Sequence, residues 1–268
     1  MPDYPVSAQE ALTRIRSAKP VVHSVTNFVV MNSTANVLLS MGASPIMAHA
    51  PEELEEIVSI ASSVVINIGT LSKPWIESMV SAGRICASLG KPLVLDPVGA
   101  GATKLRTETA RNLAKAAMPA VIRGNASEIL ALTPEGGETK GVDSGNTVEE
   151  AVDAAKAVAG SLGTVVAVTG EKDLVTNGKQ TVIIEGGHPL LSCVTGTGCA
   201  ATVTIGAFLA VEDDVFMATV GALGFFSLAG ERAAVDVDGP GTFWARVLDE
   251  LFKITPDELG TSLRVTEI

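Results

Sequence analysis

The segment Leu190–Ala201, LLSCVTGTGCAA, places two glycines and a cysteine where an apolar run gives way to small residues. It reads as a strand, a glycine-rich turn and a helix beginning near Cys199. Free N–H groups at such a helix start carry partial positive charge and form a ready anion site. Gly196 and Gly198 let the backbone approach a phosphate without a Cβ in the way. Gly196, Thr197, Gly198 and Cys199 are therefore the candidate anion hole. A P-loop would need G-x-x-x-x-G-K-[ST], which the sequence does not contain. The dinucleotide spacing G-x-G-x-x-[GA] is met by Gly196, Gly198 and Ala201, but late in the chain and without the strand-terminal acid that should follow. The turn suits a transferring phosphoryl group better than a pyrophosphate bridge.

Further candidates carry two readings each. Asn125 and Glu128 have the spacing of a capping box. Glu128 is equally a carboxylate that could organise magnesium near phosphates through water, since that ion keeps much of its hydration. Asp96 offers a second carboxylate from a neighbouring strand end, or else holds the Pro97–Gly101 turn together. Arg123 is a planar phosphate binder behind a buried strand, where it needs an anionic partner. Cys199, with a free-thiol pKa near ~8.5 lowered at a helix start, is expected to have partial thiolate character. It is then a base for a substrate hydroxyl, or only a small residue opening the helix of a site that works by positioning and charge. His23, His49 and His188 receive no role.

The elements that position these residues alternate. Strands are expected at Val21–Val25, Val64–Ile68, Leu93–Leu95, Ala120–Ile122, Val165–Val168, Thr181–Glu185 and Leu190–Val194, the last two as an antiparallel pair. Helices are expected at Pro51–Ser62, Pro74–Leu89, Arg106–Ala117 and Thr147–Leu162, and the chain turns helical from Ala200 to Phe252. This alternation predicts an α/β protein, a mostly parallel sheet with helices on both faces. Five strands end in polar, glycine-bearing turns: at Asn67–Thr70, Asp96–Gly101, Arg123–Glu128, Thr169–Glu171 and Thr195–Gly198. One such turn is ordinary; five at the carboxyl edge of a parallel sheet point at one ligand crevice.

Composition sets the outer limits. The 268 residues show no linker or repeat, so one domain over 1–268 is expected. With 47% hydrophobic but only 4% aromatic residues, the core must be aliphatic side chains packed around glycines. A net charge of -11 argues against nucleic acid as a partner. Three cysteines make no disulfide framework, and the opening MPDYPVSAQEAL lacks a secretory pattern, so a cytoplasmic protein is expected. The mean hydropathy of +0.37 raises the membrane question. The most apolar run, Met217–Gly230, is shorter than the ~20 residues of a spanning helix. We read it as a helix covered all round, by the sheet and by another subunit, with no membrane partner.

Asn-x-x-Glu followed much later by Gly-x-Gly opening a helix resembles the ribokinase-like superfamily, with its three-layer fold. More specifically, several segments resemble the hydroxyethylthiazole kinase family: Val25–Asn27, Gly42–Met47, Asn67–Leu71, Leu95–Gly101, Ile122–Glu128, Lys140–Ser144, Thr169–Glu171, Thr195–Cys199 and Gly239–Phe243, in order over nearly the whole chain. The resemblance implies ATP-dependent phosphorylation of a thiazole alcohol, with Mg2+ as cofactor. Arg123 and Thr169 would then contact ATP, and Asp96 and Glu128 the magnesium–phosphate region. Met47 and Gly196 would contact the alcohol, with Asn27 nearby. Met47, polarisable and flexible, suits a flat sulfur heterocycle and equally suits core filling. The resemblance also implies a homotrimer with substrate pockets at subunit interfaces. Sugar kinases usually carry Asp where Cys199 stands, and the cysteine matches the thiazole branch. Three rival readings are a kinase of hydroxymethylpyrimidine or pyridoxal, a dehydratase of hydrated nicotinamide nucleotides, which would carry Asp at 199, and a non-catalytic nucleotide sensor.

Overall fold

In the run Ser63–Asn67, Val65 faces one hydrophobic cluster while Val64 and Ile66 face another. Successive side chains of a strand point to opposite faces, and here helices cover both. The structure, a computed structural model, describes residues 3–133 and 148–268. Lys140–Ser144, and all but the two ends of the polar 133–148 connection expected to close over nucleotide or simply to be solvated, lie outside these residues.

The chain runs α1 (Tyr4–Ala18), β1 (Val21–Val25), α2 (Met31–Met41), β2 (Ser44–Ile46), α3 (Leu54–Ile60), β3 (Ser63–Asn67), α4 (Lys73–Leu89), β4 (Leu93–Asp96), α5 (Lys104–Ala117), β5 (Val121–Gly124) and α6 (Ala126–Leu130). It continues through α7 (Val148–Leu162), β6 (Val165–Val168), β7 (Asp173–Thr176), β8 (Thr181–Glu185), α8 (Thr197–Leu209), α9 (Val215–Ala233), α10 (Pro240–Lys253), α11 (Pro256–Ser262) and β9 (Arg264–Glu267). Among the described residues nine strands form one sheet, ordered β2-β1-β3-β4-β5-β6-β7-β8-β9. Strands β1 to β6 are parallel; β7, β8 and β9 are antiparallel. Helices α1, α2 and α8 to α11 bury one face, and α3, α4, α5 and α7 bury the other. This is the three-layer α/β arrangement that the alternating pattern predicts.

Two expectations are overturned. Leu190–Val194 is not a strand: Pro189–Cys193 forms a 3₁₀ turn. Pro189 opens it, and His188 Nδ1 accepts from the Leu190 N–H at 3.2 Å, so the backbone closes locally and does not extend. The antiparallel partners of β8 are instead β7 and β9. The β7–β8 hairpin turns through the four residues 177–180, with Gly178 at φ +86, and this turn was not among the expected elements. The apolar helix α9 is covered all round, but by its own chain: α1, α8, α10 and the β6–β8 strands. It needs no second subunit. Among the described residues no helix is long and apolar enough to cross a membrane.

Candidate active site

Helix α8 packs under β1, β3 and β4 and brings its first turn to their carboxyl ends. It begins at Thr197, two residues before the expected start, with Gly196 as N-cap. Gly196 has φ +85, and a Cβ there would stand 2.6 Å from Val30 Cγ1, so both the backbone sign and the close approach require glycine. At Gly198 a Cβ would meet Arg123 Nη1 at 2.6 Å. Backbone amides of a helix start and a guanidinium thus share one corner. Arg123 lies in β5 itself, paired with Ala167 of β6, is almost fully buried, and donates to Thr169 Oγ1 just past the end of β6. Its nearest charge is Asp96, with Nη1–Oδ2 at 3.9 Å, and its Nε has no partner.

A buried polar network links the neighbouring strand ends. Asn27 Nδ2 donates to Asn67 Oδ1 at 2.8 Å, and Asn67 Nδ2 donates to Asp96 Oδ2 at 2.8 Å. Cys199 Sγ accepts from the same Asn67 Nδ2 at 3.1 Å and more weakly from Asn27 at 3.8 Å. Thr202, three residues beyond Cys199 on α8, donates to Asp96 Oδ2 at 2.8 Å. Asn67 and Thr202 were not among the expected site residues. Asn67 read as a turn, while Thr202 has a signal in its spacing, since i and i+3 share a helix face.

Burial dominates the titration of this network. It pushes the Asp96 carboxyl up to about 6; Arg123 opposes the rise, Glu128 adds to it, and the hydrogen bonds from Thr202 and Asn67 oppose it. Burial pushes the Cys199 thiol up to about 12, helped by the charge of Asp96 and resisted by Asn67, Arg123 and Asn27. The expected lowering of this thiol by the helix start does not occur, because desolvation and a nearby carboxylate outweigh it.

Glu128 forms the full capping box with Asn125. Its Oε2 accepts from Asn125 N and its Oε1 from Gly99 N, each at 2.8 Å, so it also ties down the turn after β4. Among the described residues no three His, Cys, Asp or Glu side chains cluster to hold a metal. The fit to a hydrated magnesium is nevertheless good: Asp96 Oδ1 is fully buried without a partner, and such an ion takes one or two carboxylates and fills its shell with water and phosphate oxygens.

Beside this corner opens a cleft of ≈ 870 Å³, lined among others by Arg123, Thr169, Asp173, Gly187, Gly198 and Ser227. Asp173, also missed from sequence, has its carboxyl pushed up to about 6, chiefly by burial. Met47 lies apart from the network. It follows β2, the edge strand beside β1, on the same carboxyl edge as Asn27.

A mostly parallel sheet covered by helices on both faces, with a glycine-opened helix start and a buried arginine at its carboxyl edge, is the ribokinase-like fold. The fold agrees with the Staphylococcus aureus pyridoxal kinase solved with pyridoxal, at a TM-score of 0.64 and 17% identity over 93% of this chain and 99% of that one. Residues 12–257 match the Hydroxyethylthiazole kinase family, and the chain belongs to that family. It is 49% identical to the hydroxyethylthiazole kinase of Desulfotalea psychrophila over 100% of this chain and 98% of that protein. The corresponding Pyrococcus furiosus enzyme is 52% identical over 95% and 96% of the two chains. The solved hydroxyethylthiazole kinase structure from Pyrococcus horikoshii OT3 superposes with a TM-score of 0.90 at 46% identity, covering 97% of this chain and 98% of that one.

Proposed function

We propose that the chain, working as one domain over 1–268, transfers the γ-phosphoryl group of ATP to the hydroxyl of 4-methyl-5-(2-hydroxyethyl)thiazole, giving the monophosphate used in thiamine formation. The observation that carries this reading is the shared corner of Gly198 and Arg123, 2.6 Å from a would-be Cβ to Nη1, in a chain of this family. Arg123 and Thr169 bind the ATP phosphates. The amides of Gly196, Thr197, Gly198 and Cys199 hold the transferring group, and donors of this kind are worth ~2.7–4 kcal/mol each at the transition state. Met47, Gly196 and Asn27 hold the thiazole alcohol. Magnesium, when bound, offsets charge on the phosphates, and Asp96 and Glu128 are the residues that would hold it through water.

The alcohol oxygen attacks the γ-phosphorus in line. The bond to the β–γ bridging oxygen breaks, and its electron pair leaves with ADP. The alcohol proton passes to Cys199 Sγ as thiolate, and from there to solvent. The raised thiol pKa favours a second reading, in which Cys199 only lines the pocket while amides and magnesium suffice. We further propose a cytoplasmic homotrimer with alcohol pockets at subunit interfaces, on the strength of the family resemblance. Comparing kcat/KM for hydroxyethylthiazole, hydroxymethylpyrimidine and pyridoxal tests the substrate. We expect the thiazole alcohol to lead; preference for either other alcohol overturns the reading.

A further inference from the structure

Strand β1 reads Val-Val-His-Ser-Val, and its histidine is fully buried. A valine there would fill the space without a polar atom to satisfy. Instead His23 Nε2 lies 2.7 Å from the carbonyl oxygen of Ala48, while Nδ1 is buried without a partner. Because a carbonyl only accepts, Nε2 carries the hydrogen. Burial lowers the ring's pKa from its ordinary value, which keeps it neutral and keeps a second N–H from being stranded. Leaving Nδ1 unsatisfied is a cost, and the bond made by Nε2 is what sets against it.

That bond holds the strap Met47–Ala50 between β2 and α3. Ile46 is the last residue of the strap's approach that pairs with β1, opposite His23 itself. Beyond it Met47, Ala48 and His49 take no backbone–backbone hydrogen bond among the described residues. The other anchor is an aromatic contact: the His49 ring sits against Trp75 with centroids 4.0 Å apart and planes tilted by 35°. Trp75 in turn donates from Nε1 to the Thr26 carbonyl at 2.8 Å, next to Asn27. The two segments assigned to the alcohol therefore meet at Trp75, and His23 pins one of them to the sheet. The nucleotide corner at Arg123 lies three strands away, across β3 and β4.

We propose that His23 is a positioning residue for the acceptor pocket: its hydrogen bond to the Ala48 carbonyl sets the place of Met47, and so governs binding of the heteroaromatic alcohol but not of ATP. The kinetic part rests on the reading of Met47 as an alcohol contact.

The test uses Trp244→Phe as parent, which leaves Trp75 alone of the two tryptophans. In that parent His23→Leu removes the bond and His23→Gln restores an N–H donor. Acrylamide quenching of Trp75, 6% exposed when the strap is in place, needs no turnover. We expect quenching to rise about twofold or more in the Leu variant and to fall back in the Gln variant, as the contact over Trp75 opens and closes. In kinetics, the Leu variant raises KM for hydroxyethylthiazole about tenfold, leaves KM for ATP within about twofold, and is largely rescued by Gln. Where Leu fails to fold, His23→Met takes its place. Unchanged quenching overturns the inference, as does an equal rise in both KM values with a lowered Tm, the mark of a merely structural histidine. If the parent turns over no hydroxyethylthiazole, the functional reading fails instead, and the quenching result alone decides whether His23 holds the strap.

Discussion

Cys199 and Asp96 share one donor, the Asn67 side-chain amide, so the charge of either bears on the other. With its thiol pushed up to about 12 by burial and the Asp96 charge, Cys199 is almost wholly protonated near pH 7. As the base, it should give a kcat that rises with pH from about 7 to 9.5, in step with the thiolate fraction. Cys199→Ala should then lower kcat by ~10²–10⁴. Cys199→Asp should equal or exceed the native enzyme near pH 7, because a carboxylate ionises far more readily than this thiol even when burial and the Asp96 charge raise it. A silent Ala variant beside a crippled Asp variant, both still binding ATP, would contradict the base and favour the lining role. At this scale the sequence was informative where a residue type is rare for its place, as with Arg123 behind a buried strand. It placed Asn67 in a turn at the crevice but gave the side chain no role, because only the convergence of β3, β4 and α8 gives it partners.

Helix α8 carries the site's amides, and its place is set by packing more than by its own sequence preference. Gly206 lies flush on the sheet: a Cβ there would stand 2.8 Å from Val65 Cγ2, and Ser63 Oγ donates to its carbonyl at 2.6 Å. Gly206→Val is expected to overpack this contact, destabilise the protein by ~1–3 kcal/mol and lower turnover by moving the first turn of α8. Denaturant unfolding checks it; an unshifted midpoint would mean that the helix is held elsewhere. The central parallel strands β1 and β3 to β6 were legible because they are apolar, largely β-branched runs buried on both faces, and antiparallel β8 was legible at Thr181–Glu185. The other antiparallel strands, β7 and β9, were not. Strand β7, Asp173–Thr176, is short and half polar, and the apolar Leu190–Val194 run looked like a strand until Pro189 and His188 closed it into a turn. The stretch 44–46 passed unread for a similar reason: three residues at an edge carry too little pattern to mark a strand.

Taken whole, the molecule is acidic, with a charge of -11, yet the groups proposed to bind anions, Arg123 and the first turn of α8, lie together at one edge of the sheet. The hydrophobic fraction of 47% is spent on two covered sheet faces, and α9 lies within one of them. The apolar length of α9 therefore carries no argument for assembly, and the proposed trimer stands on the family resemblance alone. Light scattering at micromolar concentration is expected to give about three times the 27.5 kDa chain, and an active monomer would contradict both the trimer and the shared pocket. Phosphoryl transfer from ATP to the thiazole alcohol is proposed to take place at the Arg123–Gly198 corner. Its most direct test is to incubate the protein with hydroxyethylthiazole, ATP and magnesium and to identify the phosphorylated alcohol together with ADP. We predict that both products form in equal amounts, only with nucleotide and divalent metal present, and that Gly198→Asp, whose carboxylate would occupy the anion corner, forms neither while remaining folded. No phosphorylated thiazole from the native protein, or undiminished product from Gly198→Asp, would contradict the account.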